Sequence, residues 1–305
     1  MNEKIFSPDG TLMSTGLLRL GKASEEALDD RFELLGDDDQ CGRVMNERIS
    51  PEAFFSSRIS RAPKATLALD DYSHIPAVKN LLIPYLAKVL QTRKAGVNIL
   101  VYGPPGTGKT ELTRTVAEAI GAKLYEIGPL RNAEKENGER SRITRWNIAE
   151  KLYRSEKTLL VIDESEDIIN EGAVFTLFGG PKRSNKAELN KLVEIAPVPT
   201  FWLTNTLGGM DPALIRRFDI VLEVPIPPEN VRRRIAGKVV GNLVSAEMID
   251  RLALSGKLSP AVISRTASVV ADLNLKDEKA RDEACETLLS ASLDAQSLGS
   301  TTRNS

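Results

Sequence analysis

One eight-residue segment limits the possible folds of this chain more than any other: Gly103–Thr110, with the sequence GPPGTGKT. It fits the pattern G-x-x-x-x-G-K-[S/T] and lies between an apolar run, residues 97–102, and a helical run, residues 111–120. Glycines in such a turn let backbone N–H groups surround a phosphate, and the positive end of the helix faces it. We therefore predict a phosphate-binding loop in preference to the alternative, a Gly/Pro-rich turn without a ligand.

Individual residues of this loop have different expected roles. Lys109 places a positive charge on the β and γ phosphates, and the hydroxyl of Thr110 is the expected protein ligand of Mg²⁺. The other expected nucleotide contacts are Gly103, Pro104, Pro105, Gly106, Thr107, Gly108 and Glu111.

Two carboxylates, Asp163 and Glu164, follow a second apolar run, residues 159–162. Ligands of parallel sheets bind outside the carboxyl ends of the strands, so we expect both carboxylates beside the phosphate loop. Asp163 is suited to bind nucleotide and to hold the Mg²⁺ shell, and Glu164 to orient and deprotonate an attacking water. Alone the pair is a weak signal, but its position downstream of a phosphate loop makes it a strong one.

Asn205 and an arginine pair are further candidates. Asn205 follows the apolar run 201–203 and is expected to hydrogen-bond a γ phosphate or the catalytic water, although an Asn there is more often a turn residue. Arg216 and Arg217 precede another apolar run, residues 220–224. They are either solvated side chains or catalytic groups that reach a neighbouring subunit's nucleotide, which contributes ~10³ to 10⁵ in rate.

The wider pattern alternates strands with helices. Apolar runs bounded by turn residues predict strands at 97–102, 123–127, 158–162, 200–203 and 220–224. Helical periodicity predicts helices at 76–91, 111–120, 138–153 and 186–195. This alternation is typical of an α/β fold with helices on both faces of a parallel sheet.

A Pro-rich segment, residues 225–228, ends this alternation, and the chain after it is predicted to be helical. Ser259 followed by Pro260 is a helix-start signal. The helices are expected at 231–244, 246–254, 259–273 and 277–293. We divide the chain into a partly ordered, charged N-terminal segment (1–64), an α/β domain (65–227), a small all-α domain (228–295) and a flexible tail (296–305).

Composition excludes several classes of protein. The 305 residues carry 41 Lys plus Arg against 42 Asp plus Glu, so no global charge favours a polyanion or an acidic membrane. No stretch approaches the ~20 apolar residues of a membrane span. The cysteines, Cys41 and Cys285, lie far apart, which favours a reducing cytoplasm, and a single histidine offers no transition-metal site. The acidic stretch 22–40 is a solvated face or tail in preference to a docking element.

These motifs together resemble the AAA+ ATPases, over residues 66–227. The stretch Thr204–Arg234 resembles the second region of homology of the AAA branch. The resemblance implies ATP and Mg²⁺ as cofactors, a ring, usually a hexamer, with ATP between subunits, and Arg216 and Arg217 acting in trans. It implies that the all-α domain is a lid, and it places Ala261 at the nucleotide, where many AAA+ proteins carry an arginine.

Some positions depart from the family pattern. The loop 130–138 holds no aromatic residue, so threading of a peptide by aromatic pore residues is in doubt. The loop 173–180 carries Phe175 and Phe178. They are expected to serve as a second pore loop or to pack on their own domain.

The surroundings of the nucleotide are less well defined by sequence. Arg265 lies one helical turn after Ala261. We favour the interpretation that its side chain does not contact phosphate over the interpretation that it does. Where the family chain passes the adenine, Tyr72 or Ile75 is a plausible contact and His74 a bystander. The cluster Arg232–Arg234 is expected to be structural or interfacial in preference to a nucleic-acid patch.

We therefore expect an ATPase that remodels a protein partner through ring assembly and lid motion, with residues 1–64 as adaptor. Two alternatives stay open. One is a nucleic-acid-associated ATPase of a mobile-element or defence system, and the other is a nucleotide-gated assembly scaffold.

Overall fold

The computed structural model of the chain describes residues 18–20, 32–34, 59–128, 142–154, 157–166, 168, 193–255 and 258–301, and side chains within 59–293. Two short strands, β1 (Leu18–Leu20) and β2 (Phe32–Leu34), pair with each other in antiparallel fashion. One larger sheet contains the strands β3 (Ile59–Arg61), β4 (Asn98–Tyr102), β5 (Lys123–Ile127), β6 (Thr158–Ile162), β7 (Thr200–Thr204) and β8 (Ile220–Glu223).

The larger sheet has the strand order β3-β5-β6-β7-β4-β8 and is parallel except at the β3–β5 pair. Its central strands are buried on both faces, as their apolar runs predict. On β4, Ile99 and Val101 belong to one apolar cluster, whereas Leu100 belongs to another. Helices cover both clusters, which confirms the predicted α/β fold. The order also brings the carboxyl ends of β4, β6 and β7 side by side.

The edge strand β3 lies upstream of residue 65, where the sequence led us to begin the α/β domain. Ile59 pairs with Ile127 and Arg61 with Tyr125 of β5. Three residues with one apolar side chain show no alternation, so nothing in the local sequence indicates a strand.

The described helices are α1 (Ile83–Thr92), α2 (Lys109–Ala119), α3 (Arg142–Tyr153), α4 (Pro212–Ile215), α5 (Glu229–Val240), α6 (Ala246–Leu254), α7 (Pro260–Asp272) and α8 (Glu278–Thr301). Most of the helix predicted at 186–195 lies outside the described residues. Helix α8 continues past residue 296, where we expected a flexible tail, since no proline interrupts its sequence.

The helix predicted at 76–91 is split in the structure. A π-helical turn, Val78–Leu82, precedes α1, and the Ile83 N–H donates to Val78 O. Pro84 lies at the start of α1 and has no N–H to donate to a preceding turn, which explains why the regular pattern begins there.

Helices α5–α8 form the small all-α part, which we call the lid, around its own apolar cluster. Asp71, in a short 3₁₀ turn before α1, joins the lid to the sheet part. Its side chain is fully buried, with Arg234 Nε at 2.9 Å and Lys238 Nζ at 2.6 Å. Burial opposes its charge, but hydrogen bonds from Lys238, Ala68 and Arg234 hold the pKa of Asp71 below its usual value. We call this contact the Asp71 anchor.

The cluster Arg232–Arg234 is engaged within the protein. The buried guanidinium of Arg232 donates to Ala253 O at 2.9 Å and to Pro227 O at 2.6 Å. Arg233 pairs with Glu229 and Asp250. These contacts agree with the structural role that we expected for the cluster.

Candidate functional site

The segment 103–110 connects β4 to α2 as predicted. Gly103 has a φ of 146°, and a Cβ there would lie 2.2 Å from Val224 O, so only glycine fits. Gly108 is the N-cap of α2, with a φ of 93°. The loop therefore presents the amino-terminal end of an eleven-residue helix at the carboxyl edge of the sheet.

Lys109 lies at the centre of this edge and is only 7% exposed. Its ammonium donates to Gly103 O at 2.7 Å, Pro104 O at 3.0 Å and Asn205 Oδ1 at 2.9 Å. Burial lowers the pKa of Lys109, and the charges of Asp163 and Glu166 act in the opposite direction. Lys109 and Asn205, distant in sequence, thus come together at this edge.

Thr110 and Asp163 also meet, since Thr110 Oγ1 donates to Asp163 Oδ2 at 2.5 Å. A hydroxyl and a carboxylate are oxygen ligands of the kind that Mg²⁺ prefers, and this ion commonly uses one or two protein oxygens beside phosphates and waters. Within the described ranges no group of three or more His, Cys, Asp or Glu forms a metal cluster. The pair therefore fits Mg²⁺ held jointly with a phosphate.

Glu164 is exposed beside this pair, with a left-handed backbone (φ 49°). Such a conformation costs about 1 kcal/mol or more for a residue other than glycine and is often found at functional sites. Its carbonyl oxygen accepts a hydrogen bond from Arg142 at 3.0 Å, and this contact stabilises the left-handed backbone conformation.

Two residues that the sequence analysis missed support the strand ends at the cleft. Arg142 is 1% exposed and donates to the carbonyl oxygens of Ile127, Asp163 and Glu164. Glu166 accepts hydrogen bonds from the Asn205 N–H and the Thr204 hydroxyl, each at 2.7 Å. Arg142 gave no sequence signal, whereas Glu166 is a third carboxylate close behind the Asp-Glu pair.

Many of the predicted contacts line one cleft of about 510 Å³ between the sheet and the lid. On the lid side, the Ala261 N–H donates to Gly106 O at 3.2 Å, so Ala261 lies at the loop as the resemblance implied. The predicted site residues that line this cleft are Pro105, Gly106, Gly108, Lys109, Thr110, Glu111, Asp163, Glu164, Asn205 and Ala261.

The side chain of Glu111 is engaged within the protein. Its Oε1 accepts hydrogen bonds from Thr66 Oγ1 at 2.8 Å and the Leu67 N–H at 2.9 Å. The carboxylate therefore fixes the segment before the 3₁₀ turn. The nucleotide contact that we predicted for Glu111 would then involve its backbone or the aliphatic part of its side chain.

The neighbourhood predicted for the adenine packs on the loop. Tyr72 donates its hydroxyl to Gly108 O at 3.3 Å, and Ile75 is buried in the same apolar cluster. The His74 ring lies 6.4 Å from the ring of Tyr72. Arg265 lies apart from these residues, in a second cavity of about 710 Å³ that also contacts Pro104 and Pro105.

Arg216 and Arg217 do not reach the cleft of their own chain. They follow α4, before the amino end of β8, and are absent from the residues that line the cleft. Arg216 is exposed, and within the described residues its side chain donates a hydrogen bond only to Pro212 O, at 3.3 Å. Arg217 pairs with Glu194 at 3.0 Å. The loops 130–138 and 173–180 lie outside the described residues.

Residues 99–226 match the model of the ATPase family associated with various cellular activities (AAA). The chain is 35% identical over 145 residues to a proteasome-activating nucleotidase of Sulfurisphaera tokodaii. The aligned residues make up 45% of this chain and 36% of that protein. The chain is 31% identical over 160 residues to the nucleotidase of Methanothermobacter thermautotrophicus, covering 50% and 38%. The chain thus spans less than two fifths of the length of these curated relatives.

Solved structures show the same fold. The structure of C. elegans PCH-2 superposes with a TM-score of 0.55 at 20% identity, over 77% of this chain and 76% of that one. The FIGL-1 AAA domain superposes with a TM-score of 0.53 at 16% identity, over 84% and 93%. In the part of the chain that the structure describes, no helix combines the length and apolar character needed to cross a membrane.

Proposed function

We propose that this chain, whose residues 99–226 match the model of the AAA family and include the phosphate loop, binds Mg²⁺-ATP and hydrolyses it to ADP and phosphate. The observation that carries the proposal is the cleft in which Lys109, Thr110, Asp163, Glu164 and Asn205 come together from three strand ends. These residue types converge at a helix end that favours anions.

Each side chain has a role in this proposal. The N–H groups of the loop 103–110 and the ammonium of Lys109 bind phosphate oxygens, and Thr110 and Asp163 would hold the metal ion. When bound, Mg²⁺ supplies positive charge to the phosphate oxygens. The exposed carboxylate of Glu164 takes a proton from the attacking water, and Asn205 hydrogen-bonds the γ phosphate or that water.

We propose further that hydrolysis needs a second copy of the chain, in a homo-oligomer that is a hexamer. Arg216 and Arg217 lie away from their own cleft, so a neighbouring subunit is where their charges can act on phosphate. A guanidinium supplied in this way stabilises charge on the transferred phosphoryl group.

The substrate that we propose is a protein, remodelled through ring assembly and motion of the lid, with residues 1–64 as adaptor. Two relatives are named proteasome-activating nucleotidases, which favours work on proteins. The near-zero net charge and the engaged cluster Arg232–Arg234 give little support to a nucleic-acid substrate.

The proposal is tested by measuring ATP turnover with Mg²⁺ and then trapping the ATP-bound state of Glu164→Gln. We expect turnover in the natural sequence, a fall of ~10²- to 10⁴-fold in Glu164→Gln, and retained ATP binding in that variant. Lys109→Ala is the matched control, since it should lose binding as well as turnover. A natural chain that binds ATP but does not hydrolyse it contradicts the enzymatic proposal and favours the scaffold.

The same trap identifies the substrate class. A protein that co-purifies with ATP-loaded Glu164→Gln, but not with Lys109→Ala, supports remodelling of a protein. DNA binding that falls steeply with salt, together with stimulated turnover, favours the nucleic-acid alternative.

A further inference from the structure

Glu166 connects two strand ends of the candidate site. It follows β6 by four residues, and its Oε1 accepts the Asn205 N–H and the Thr204 hydroxyl at the carboxyl end of β7, each at 2.7 Å. Asn205 is exposed, and the acceptor of its N–H is the Glu166 side chain, which does not belong to a neighbouring strand. The position of the Asn205 backbone therefore depends on a side chain outside β7.

Asn205 in turn reaches the phosphate loop. Its Oδ1 accepts from Lys109 Nζ at 2.9 Å, while Gly103 O and Pro104 O accept from the same ammonium. An ammonium has three donors, and all three are engaged here. A phosphate that binds Lys109 must replace at least one acceptor, and Asn205 contributes the one that belongs to a side chain and is free to rotate.

The charge of Glu166 suits this arrangement. Burial opposes ionisation, but hydrogen bonds from Asn205 and Thr204 and the charge of Lys109 hold the pKa of Glu166 below its usual value. Glu166 therefore remains a carboxylate at neutral pH, the stronger form of acceptor for an N–H group.

We propose that Glu166 is a positioning residue, which fixes the Asn205 backbone so that its amide passes from Lys109 to the phosphate or water when nucleotide binds. This inference rests on the proposed ATPase function and deepens it. Groups that orient a metal ligand through a hydrogen bond are typically worth ~10- to 100-fold in activity, and we expect an effect of that size for Glu166.

The test compares Glu166→Ala, Asn205→Ala and the double variant in steady-state ATP turnover. We expect Glu166→Ala to lower kcat ~10- to 100-fold while KM and the affinity for a fluorescent ADP analogue change little. In the Asn205→Ala background the Glu166→Ala change should have no additional effect, because Glu166 acts through Asn205. Additive losses, or an affinity for ADP that falls in parallel with kcat, overturn the inference.

Two further variants separate positioning from general stability. Glu166→Gln keeps an acceptor oxygen and should retain most of the turnover. Asp282→Ala is the matched control, since Asp282 also accepts a backbone N–H, that of Ser245 at 2.9 Å, but lies within the lid. It should lower the unfolding midpoint without the fall in kcat.

A measurement without nucleotide keeps the inference independent of the ATPase proposal. Hydrogen exchange of the Asn205 amide should be slow in the natural chain and in Glu166→Gln, and faster in Glu166→Ala. Absence of any ATP turnover in the natural chain contradicts the proposed function, whereas unchanged exchange in Glu166→Ala overturns the positioning role itself.

Discussion

The two edges of one sheet use polar side chains in opposite ways. At the amino-terminal edge Asn98 and Thr200 are 0% exposed. Asn98 Nδ2 donates to Val193 O at 2.8 Å, and its Oδ1 accepts from Trp202 Nε1 at 2.9 Å. At the carboxyl edge Glu164 and Asn205 are exposed beside a cleft of about 510 Å³.

The difference separates stability from function within the same strands. Buried polar groups that are fully bonded hold the fold, because leaving one without its partner costs ~1–3 kcal/mol. Exposed groups at the end of a strand contribute less to the fold and are free to meet a ligand. The comparison predicts that substitutions at the carboxyl edge lower the rate of ATP turnover. Substitutions at the amino edge should instead lower the free energy of unfolding.

Arg216 and Arg217 are the predicted exception to this rule, because they lie at the amino edge but are expected to act in catalysis. They therefore give the strongest test of the comparison. We expect Arg217→Ala to lower ATP turnover by ~10³-fold or more, as for other guanidinium groups supplied in trans. Turnover should recover in mixtures with Glu164→Gln, which contributes an intact Arg217. Arg233→Ala, a surface arginine of the lid, is the control and should leave turnover unchanged. Mixtures that stay inactive contradict action in trans.

Glu164→Gln tests the carboxyl edge. We expect turnover to fall ~10²- to 10⁴-fold, the usual contribution of a general base. The thermal midpoint should stay unchanged, because the carboxylate is exposed. Parallel turnover and calorimetry experiments measure both quantities. A large loss of stability would place Glu164 with the structural residues and remove the distinction between the edges.

Glu150 sharpens the structural side, because its buried carboxyl lies under the amino edge. Its Oε2 accepts the Val198 N–H at 2.7 Å, and its Oε1 lies 3.1 Å from Thr200 Oγ1. The Thr200 hydroxyl also accepts from Trp146 and lies 3.1 Å from Val198 O. Thr200 has one proton, which it donates to Glu150 Oε1 or to Val198 O, and the hydrogen bonds that Glu150 receives act against the effect of its burial. Burial raises the pKa of Glu150 to about 8.

This raised pKa makes stability depend on pH. The protonated carboxyl stabilises the fold fully below the unfolded pKa near 4.5, and the contribution is lost as pH rises through about 8. We expect the free energy of unfolding, from denaturant titration, to fall by a few kcal/mol between about pH 5 and pH 9, at ~1.4 kcal/mol per pKa unit. Glu150→Gln should remove most of that slope. An equal slope in both chains contradicts the assignment.

Asp219→Ala gives the smallest expected effect. Asp219 accepts from the Tyr85 hydroxyl at 2.6 Å and the Asn98 N–H at 3.0 Å, at the amino edge. We expect a loss of ~1–3 kcal/mol in unfolding free energy, measured by denaturant titration, with turnover per folded molecule retained. A selective loss of turnover would extend function to this edge.

Local patterns predicted the elements that local forces determine. The run at 158–162 matches β6, because an apolar run bounded by turns must be buried. The phosphate loop was found because its chemistry needs consecutive residues. Arg142 and Glu166 escaped prediction because their partners are distant in sequence. A lone Arg in a polar stretch is usually solvated, and nothing local distinguishes Glu166 from the neighbouring carboxylates. The π-helical turn before Pro84 was not predicted, because apolar periodicity locates a helix but does not register a missing N–H donor within it.

The Asp71 anchor has a consequence for how the lid is able to move. The lid is attached by the chain at residues 225–228, by the anchor, and by the Ala261 to Gly106 hydrogen bond. These are attachments seen among the described residues. In the lid motion that we propose, release of one of them would leave rotation about the line through the other two. The Ala261 to Gly106 hydrogen bond, at 3.2 Å, is weaker than a buried carboxylate with two cations, so we expect it to open first. For the proposed motion, we therefore expect an axis through residues 225–228 and Asp71, with the greatest displacement of the lid at the phosphate loop.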